Sequence, residues 1–372
     1  MFLSAKKQYG PIAVDLGAAC LRAVQLERRG GRLAVRHWMQ VPVPHEGLAG
    51  AEGKDGNGPA PPAPLPRLDR EAFLGDEVVV SLHPPEVECT PLRVPDNLLA
   101  LGQAALVAAI RHEVSRNISL PVDEVEMDVW RLGSGQLDSP NLMVAAARRD
   151  RIQRTLAWLD DQKLVCRRID VGPLVALRAC AGFSAQPNAD HLWGVLDVGK
   201  SAVRLYIGVG EVPVYVRCMA RGGEEMTRRI SEDLGVSRGV SESYKRHYGV
   251  QSAEGHYRPA SPMDDAVEGR RMAAILLGVL RPIIRSIGEE VQRSFRYAMG
   301  LYPDRPISGL WVIGGGAGLA GLTDLLAEML GIAVHRVTAG HLGGGLIVPP
   351  TLSDETVPQL AACLGLCLGE MN

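Results

Sequence analysis

The sequence predicts a two-lobed α/β protein in which the same unit of three strands occurs once in each lobe. Two stretches carry this prediction, IAVDLGAACLRAVQL at Ile12 to Leu26 and LWGVLDVGKSAVRLYIGVGEVPVYV at Leu192 to Val216. In both, an apolar strand ends at an aspartate, and a glycine turn leads into further strands. One copy alone would be compatible with an ordinary β-hairpin, but two copies indicate similar lobes that face a shared cleft. Laid over each other, the copies match Asp15 to Asp197, Gly17 to Gly199 and Arg22 to Arg204.

Length and composition limit the classes of protein to which the chain can belong. With 372 residues the chain is too long for one compact core, so two or more domains are expected. Its 40 basic and 42 acidic residues nearly balance, which gives no support for nucleic-acid binding. The start MFLSAKKQYG lacks the apolar run of a signal peptide, and no stretch reaches the roughly 20 apolar residues of a membrane span. A cytoplasmic protein without direct membrane insertion is expected.

The cysteines and histidines do not form a recognisable site in the sequence. Seven cysteines without a Cys-x-x-Cys pair indicate reduced thiols rather than a disulfide frame or a zinc site. Cys363 and Cys367 lie one helical turn apart, which indicates packing. The nine histidines are scattered, so neither a metal cluster nor a catalytic triad is predicted.

The two aspartate turns have the composition of a site for phosphate and metal. A carboxylate at a strand end, followed by glycine and a hydroxyl, can hold a metal-bound water while backbone N–H groups face a phosphate. Asp15 and Asp197 are therefore the candidate catalytic residues and the candidate ligands of Mg2+ through water. The candidate phosphate contacts beside them are Gly17, Gly199, Lys200 and Ser201.

Between the two aspartate turns, the sequence predicts an insert and a small subdomain. Residues 42–66, which include GKDGNGPAPPAPLP, are dense in Pro, Gly and Ala and predict an extended surface segment. Asp69 to Asp170 predicts a separate α/β subdomain without a cluster of catalytic side chains. Its predicted elements are strands at Val78–Leu82, Val87–Leu92, Val122–Leu132, Leu142–Ala147 and Val165–Ile169, a helix from Asp96 through Val114, and a helix from Arg149 to Leu164.

A glycine pair and a long helix follow the second aspartate turn. RGGEEMT at Arg221 to Thr227 opens a helix that reaches about Leu234, and a helix start of this kind favours an anion. A loop with a helix cap would explain the same residues equally well. A long helix with an apolar stripe is predicted next, and Pro282 should kink or restart it.

A second glycine-rich stretch, ISGLWVIGGGAGLAGLTDLLAEMLG, begins at Ile307. It predicts a strand, a glycine turn and a helix that ends at Gly331 in a left-handed cap. Gly316, Gly318 and Gly321 fit G-x-G-x-x-G, which would suggest a dinucleotide fold. The acid that should bind a ribose roughly 20 residues further on is missing, which argues against that fold.

These motifs resemble those of a known family. The pair of aspartate turns is similar to the two phosphate motifs of the superfamily of actin, heat-shock chaperones and sugar kinases. Three phrases of the inserted subdomain narrow the resemblance to the actin-like PilM and FtsA proteins: PVDEV at 121–125, MVAAAR at 143–148 and RRID at 167–170. ESYKRHYG at 242–249 and EVQRSF at 290–295 are similar to the same family. The resemblance spans nearly the whole chain except the Pro-rich insert.

The resemblance implies an actin-like fold, which is a duplicated ribonuclease H-like architecture of two lobes with an inserted PilM/FtsA-type subdomain. It implies that ATP and Mg2+ bind between the phosphate turns. Adenosine would lie against the glycine turn formed by Gly314, Gly315, Gly316 and Ala317. Further nucleotide contacts are implied at Gly223, Glu224, Glu225 and Thr227.

The resemblance also implies a set of domain boundaries. The first-lobe core would cover residues 1–68, with the first phosphate motif and the insert 42–66, followed by the inserted subdomain at 69–170 and a return to the first lobe at 171–190. The second-lobe core would cover 191–225 and 306–347, with the second phosphate motif and the adenosine motif. A helical subdomain of the second lobe would cover 226–305, and a C-terminal helix on the first lobe would cover 348–372.

The function implied by the resemblance is that of an ATP-binding assembly protein of a type IV pilus or a related type II secretion machine. Such a protein docks at the inner membrane through the cytoplasmic N-terminal tail of a PilN-like partner, and nucleotide occupancy controls assembly. Whether it forms homo-oligomers stays open. The family usually has hydroxyl residues where this chain has Ala18 and Ala19, so at most slow ATP hydrolysis is expected.

Three alternatives remain at this stage. A nucleotide-free scaffold of the same fold is compatible with the sequence. An FtsA-like division protein would need an amphipathic membrane helix after Gly369, and the sequence ends without one. A phosphotransferase of the sugar-kinase kind would need a catalytic Asp in a substrate pocket, and no motif supplies it.

Overall fold

The computed structural model describes residues 8–44, 65–133, 139–183, 190–251, 266–342 and 345–371. The insert predicted at 42–66 lies almost entirely outside the described residues. Within them, helices and strands alternate, so the predicted α/β class is confirmed. Contacts divide the chain into unit 1, residues 1–186, 339–352 and 360–372, and unit 2, residues 187–338 and 353–359.

The strands of the described part are β1 (Ile12–Leu16), β2 (Cys20–Arg29), β3 (Arg32–Pro42), β4 (Glu77–Leu82), β5 (Val87–Leu92), β6 (Val125–Arg131), β7 (Leu142–Arg148), β8 (Val165–Val171), β9 (Leu192–Val198), β10 (Val203–Val209), β11 (Val212–Met219), β12 (Ile307–Ile313), β13 (Val334–Arg336) and β14 (Leu346–Ile347). The helices are α1 (Asp96–Leu99), α2 (Gln103–Val114), α3 (Arg149–Asp160), α4 (Gly172–Phe183), α5 (Gly223–Leu234), α6 (Arg238–Tyr248), α7 (Ala266–Leu301), α8 (Leu322–Leu330), α9 (Ala339–Leu342) and α10 (Ala361–Met371). Short 3-10 turns lie at Val122–Glu124, Gly315–Gly318 and Val357–Leu360.

Unit 1 contains a six-stranded sheet with the order β14-β3-β2-β1-β4-β8. β1 lies in its interior, antiparallel to β2 and parallel to β4. Helices α4 and α10 pack against this sheet, and Leu159 of α3 packs with Ile12 and Val14 of β1. Because both sides of β1 are covered, all five of its residues are buried, Asp15 together with four apolar residues.

Unit 2 contains a five-stranded sheet with the order β11-β10-β9-β12-β13. Its interior strand β9 is antiparallel to β10 and parallel to β12. The long helix α7 packs closely on β9, since a Cβ on Gly194 would lie 2.9 Å from the ring of Phe295. The order β3-β2-β1-β4 in unit 1 and the order β11-β10-β9-β12 in unit 2 are therefore the same arrangement, as the repeated motif predicts.

A separate three-stranded sheet, β5-β7-β6, lies within unit 1. All its neighbouring strands are antiparallel. Three apolar residues of α2, spaced by one helical turn, pack on this sheet with Leu142 and Val144 of β7. They are Leu106, Ile110 and Val114. The sheet lies within the subdomain predicted at Asp69 to Asp170, but two strands predicted for that subdomain, Val78–Leu82 and Val165–Ile169, are β4 and β8 of the six-stranded sheet. The prediction is wrong for these two strands, because β4 pairs with β1 and β8 pairs with β4.

The structure differs from the predicted elements at four places. The helix predicted from Arg149 to Leu164 is shorter, because α3 ends at Asp160. The helix predicted from Asp96 through Val114 is divided into α1 and α2, because Gly102 adopts an extended backbone and caps α2. The first residues of the strand predicted at 122–132 form a 3-10 turn. The helix α7 continues through Pro282, so of the two predicted outcomes, a kink or a restart, the restart is wrong. Gly278 stands four residues earlier and has no side chain, so the backbone can adjust to the proline ring.

None of the described helices, including the 36 residues of α7, combines the length and the hydropathy that a membrane-spanning helix needs.

Candidate functional site

In the first aspartate turn, each oxygen of the Asp15 carboxylate has a side-chain partner. Arg22, which stands opposite Asp15 on β2, donates from Nη1 to Oδ2 at 3.2 Å. His83 Nε2, just beyond the end of β4, lies 3.1 Å from Oδ1. The side chains of Asp15 and His83 are only 8% and 12% exposed. The carboxylate is therefore largely buried, and a side-chain partner fixes each of its oxygens.

The second aspartate turn repeats the arginine contact in unit 2. Arg204, opposite Asp197 on β10, donates from Nη1 to Oδ2 at 2.9 Å. Burial, the largest single cause, would lower the pKa of Arg204, but Asp197 together with Tyr206 and Cys218 outweighs burial and raises this pKa above its ordinary value. The other oxygen, Oδ1, faces Gly314, where a Cβ would overlap it. The glycine at this place is required by the close approach of the carboxylate.

A glycine closes each turn in the same way. Gly17 donates its N–H to the carbonyl of Cys20 at 3.1 Å, and Gly199 donates its N–H to the carbonyl of Ala202 at 3.0 Å. A Cβ on Gly17 would lie 2.9 Å from Nη1 of Arg22, and a Cβ on Gly199 would lie 3.3 Å from Nη1 of Arg204. The glycines thus make room for the arginines that hold the carboxylates.

The tips of the two turns differ in the polar groups that they carry. Ala18 and Ala19 are half-buried at the tip of the first turn. At the tip of the second turn, Lys200 is half-buried and Ser201 is exposed. Side-chain donors for a phosphate are therefore present at the second tip and missing from the first.

The start of α5 packs directly on the second turn. Gly223 donates its N–H to the carbonyl of Gly199, and Glu224 donates its N–H to the carbonyl of Lys200, each at 2.9 Å. A Cβ on Gly222 would lie 2.6 Å from both of these carbonyl oxygens. These two N–H groups donate to carbonyls of the turn, so the prediction that this helix start favours an anion is wrong for them. The start of α5 supports the turn instead.

A partly buried network joins α5 to α6 next to this contact. Lys245 donates to the carbonyl of Gly223 at 2.9 Å, to Thr227 Oγ1 at 2.7 Å and to Glu242 Oε2 at 2.5 Å. Thr227, predicted as a nucleotide contact, is 5% exposed, and its single O–H can donate to the Gly223 carbonyl at 2.9 Å or to Glu242 Oε2 at 2.6 Å. Burial raises the pKa of Glu242, but hydrogen bonds from Lys245 and Thr227 outweigh burial and lower it to about 2.

Glu242 and Lys245 are site residues that the sequence reasoning did not single out. Their spacing of three residues on a helix is the signal that could have paired them with each other. Their contact with Gly223 and Thr227 depends on how α6 packs against α5, which the spacing does not reveal. Of the other predicted contacts, Glu224 pairs with Arg238, and Glu225 is half-buried in the first turn of α5.

The glycine turn after β12 lies beside the end of β9. Gly314 and Gly316 pack against Val198, and Ala317 is 3% exposed. A Cβ on Gly315, in contrast, would meet nothing within 4 Å, and neither would one on Gly318. The turn therefore presents bare backbone at Gly315 while its neighbours hold it against the second aspartate turn. Gly331, in the left-handed conformation (φ 65°), caps α8 as predicted.

The chemical groups of these residues are of the types that bind a magnesium nucleotide. Carboxylates held by arginines, turn tips with backbone N–H groups and an open glycine backbone are the groups that Mg2+, phosphate and a nucleoside require. Within the described ranges, no group of three or more His, Cys, Asp or Glu side chains could hold a metal ion.

Comparison with known proteins identifies the family. A family model described as type IV pilus assembly protein PilM matches residues 13–253, which is more than half of the chain. The matched part contains both aspartate turns, the inserted subdomain and helices α5 and α6.

Solved structures agree with the fold. The chain is similar to a protein in the structure of a PilM-PilN type IV pilus biogenesis complex, with a TM-score of 0.72, 23% identity and 98% of each chain covered. That match confirms the predicted actin-like fold. The chain is also similar to ethanolamine utilization protein EutJ from Carboxydothermus hydrogenoformans, with a TM-score of 0.48, 15% identity, and 97% of this chain and 89% of that chain covered. A third similar structure is MreB 5 of Spiroplasma citri bound to AMPPNP, with a TM-score of 0.47, 12% identity, and 97% of this chain and 95% of that chain covered.

Proposed function

The chain belongs to the PilM family of type IV pilus assembly proteins, and from this premise we propose that it binds ATP with Mg2+ and docks on a PilN-like partner. The observation that carries the nucleotide proposal is the repeated pair of carboxylate and arginine, Asp15 with Arg22 and Asp197 with Arg204. One buried ion pair of this kind is often structural. Two at equivalent positions of two similar sheets indicate a duplicated ligand site.

Each predicted residue has a role in this proposal. Asp15 and Asp197 hold Mg2+ through water, and the ion neutralises phosphate charge when it is bound. The turn tips supply backbone N–H groups, and Lys200 and Ser201 add a charge and a hydroxyl. The bare backbone at Gly315 accepts the flat face of adenosine, because a side chain there would occupy the same space.

Thr227 acts indirectly in this proposal. Its hydroxyl is used by Gly223, Glu242 and Lys245, so it supports the second turn from below rather than touching the nucleotide. Thr227 and the side chain of Lys245 are 5% and 12% exposed, so little water competes for the hydrogen bond between them. Glu224 and Glu225 lie on the adjoining surface of α5 and stay candidate contacts.

The docking surface that we propose is a groove of about 440 Å3 beside α3. It is lined by Leu156, Ala157, Leu159, Asp160, Leu164 and Cys166. β8 stands at the edge of the six-stranded sheet, and Val165 at its start is 56% exposed. An extended apolar tail could add to such an edge and place side chains in the groove. The N-terminal tail of a PilN-like protein is the occupant, since the structurally similar PilM chain comes from a complex with PilN.

The biological role follows from these two sites. The protein is an assembly element that meets the inner membrane through its partner, and its nucleotide occupancy controls assembly of the pilus or a related type II secretion machine. Whether it also forms homo-oligomers does not affect this proposal, since both sites are built from residues of one chain.

Nucleotide content tests the first part directly. Freshly purified protein is denatured and the released nucleotide is identified by mass spectrometry, and calorimetry then measures ATP affinity with and without Mg2+. The proposal expects adenine nucleotide and an affinity that Mg2+ increases. A chain that releases no nucleotide and binds none would instead be the nucleotide-free scaffold.

A pair of leucine variants tests the docking surface. Leu156→Asp should reduce the recovery of PilN-type N-terminal tails in pull-downs by about tenfold, because it replaces an apolar side chain that lines the groove with a charged one. Leu101→Asp is the matched control, since Leu156 is 41% and Leu101 40% exposed in the same unit. Equal recovery by both variants contradicts the groove. Specific capture of cell-division proteins in place of PilN-type tails would favour the FtsA-like alternative.

A further inference from the structure

His83 occupies a place in unit 1 that corresponds to Gly315 in unit 2. Asp15 is paired with Ser81 on the parallel neighbour β4, and Asp197 is paired with Ile313 on the parallel neighbour β12. Two residues after each of these partners stand His83 and Gly315. The same step beyond the neighbouring strand therefore carries an imidazole in one copy and bare backbone in the other.

The imidazole of His83 is held tightly between Asp15 and the protein backbone. Its Nε2 lies 3.1 Å from Asp15 Oδ1 and 3.0 Å from Ser81 Oγ. The ring packs on the first residue of α4, because a Cβ on Gly172 would lie 3.0 Å from Cε1 and closer still to Nδ1. A ring packed in this way keeps its position relative to the carboxylate.

The contacts also define which nitrogen carries the proton. Within the described chain, Nδ1 is buried and has no hydrogen-bond partner. A buried N–H without an acceptor is costly, so the proton of a neutral ring belongs on Nε2, where Asp15 and Ser81 can accept it. The ring is then a donor to Oδ1, while Arg22 is the donor to Oδ2.

We propose that His83 is a positioning residue for Asp15, and that its N–H fixes the orientation of this carboxylate for the magnesium water. The inference rests on the proposed nucleotide site. Groups that orient a metal-binding carboxylate through a hydrogen bond typically contribute about 10-fold to 100-fold in metal affinity. The contribution concerns the magnesium-dependent part of nucleotide binding and not the contacts with adenosine.

The test separates the hydrogen bond from the fold. ATP affinity is measured by calorimetry with Mg2+ and with a chelator, and the ratio of the two dissociation constants gives the magnesium increment. His83→Leu keeps apolar volume but removes the donor, and should reduce the increment about tenfold. His83→Gln can place an amide N–H near the position of Nε2 and should restore most of it. His37→Ala, another partly buried histidine of unit 1, is the control and should keep the full increment.

The outcomes are distinguishable from one another. A full magnesium increment in His83→Leu overturns the inference while leaving the nucleotide site intact. Equal losses in His83→Leu and His83→Gln, with unchanged melting temperatures, show that the ring and not its N–H matters, and also overturn it. If the unchanged protein binds no ATP, the proposed function fails and this inference fails with it. Because His83→Ala removes more packing, it serves only to check the melting temperature.

Discussion

The two aspartate turns of this chain share one design and differ in the surroundings of the carboxylate. In each, an arginine on the next strand binds Oδ2, at 3.2 Å for Asp15 and at 2.9 Å for Asp197. The difference lies at Oδ1. For Asp15 this oxygen meets His83, whereas for Asp197 it faces the glycine turn at Gly314.

The two units also differ at the tips of the turns and in the packing around them. In unit 1 the carboxylate is enclosed, and the tip of the turn has no polar side chain at Ala18 and Ala19. In unit 2 the carboxylate borders an open glycine backbone, and the carbonyls of Gly199 and Lys200 are tied to the start of α5. If the nucleotide binds as proposed, we expect substitutions in unit 2 to lower ATP affinity more than substitutions in unit 1, and we call this difference the division of labour.

The largest expected effect comes from removing the charge of Asp197, whose Oδ1 faces Gly314. Asp197→Asn should weaken magnesium-dependent ATP binding about 100-fold, because the amide removes the negative charge beside the glycine turn. Asp15→Asn should weaken it only about tenfold, since both oxygens of Asp15 are already occupied by protein groups. Asparagine still accepts a hydrogen bond from the buried arginine, which limits damage to the fold. Calorimetry checks both variants, and equal losses would contradict the division of labour.

The next effect comes from filling the bare backbone. Gly315→Val should reduce ATP affinity about 30-fold, because the new side chain occupies the space proposed for adenosine. The fold should tolerate it, since nothing lies within 4 Å of the added Cβ. Gly318→Val is the matched control, because its Cβ position is equally open. Unchanged affinity in Gly315→Val, measured on a variant with a normal melting temperature, would remove adenosine from this turn.

The sequence predicted the parts of this comparison that depend on local pattern. An apolar strand, an aspartate and a glycine turn are adjacent in the chain, so both turns and the cap at Gly331 could be recognised without a structure. His83 could not be assigned, because it follows Asp15 by many residues and only the parallel pairing of β1 with β4 brings them together. The same holds for Lys245, which reaches Gly223 through the packing of two helices.

Restoring hydroxyls to the first turn should change turnover more than binding. Ala18→Ser combined with Ala19→Ser adds donors that can stabilise charge on a transferred phosphoryl group, so phosphate release should rise about tenfold. ATP affinity should change less, because backbone N–H groups and the glycine turn remain. The two quantities are measured on the same preparation. If the unchanged protein already hydrolyses ATP faster than about 1 per second, the missing hydroxyls do not limit it.

The smallest expected effect concerns the network that supports only the second turn. Hydrogen bonds from Lys245 and Thr227 outweigh burial and lower the pKa of Glu242 from 4.5 to about 2, so its ionised form is favoured in the folded state. The resulting stability is present above the ordinary pKa and is lost as the pH falls from 4.5 towards about 2. Because 36% of this side chain is exposed, solvent screening limits the contribution to about 1 kcal/mol.

Glu242→Gln should therefore lower the urea midpoint of unit 2 at about pH 7, and the difference from the unchanged protein should shrink at about pH 3. Glu232→Gln is the control, because Glu232 forms an exposed ion pair with Arg228 on α5, outside the network. Its effect should be smaller and should not follow the same change with pH, since exposed pairs contribute little. The fluorescence of Trp193 and Trp311, the tryptophans of unit 2, reports the transition. A Glu242→Gln difference that is constant between the two pH values would mean that the charge of Glu242 does not stabilise the support of the second turn.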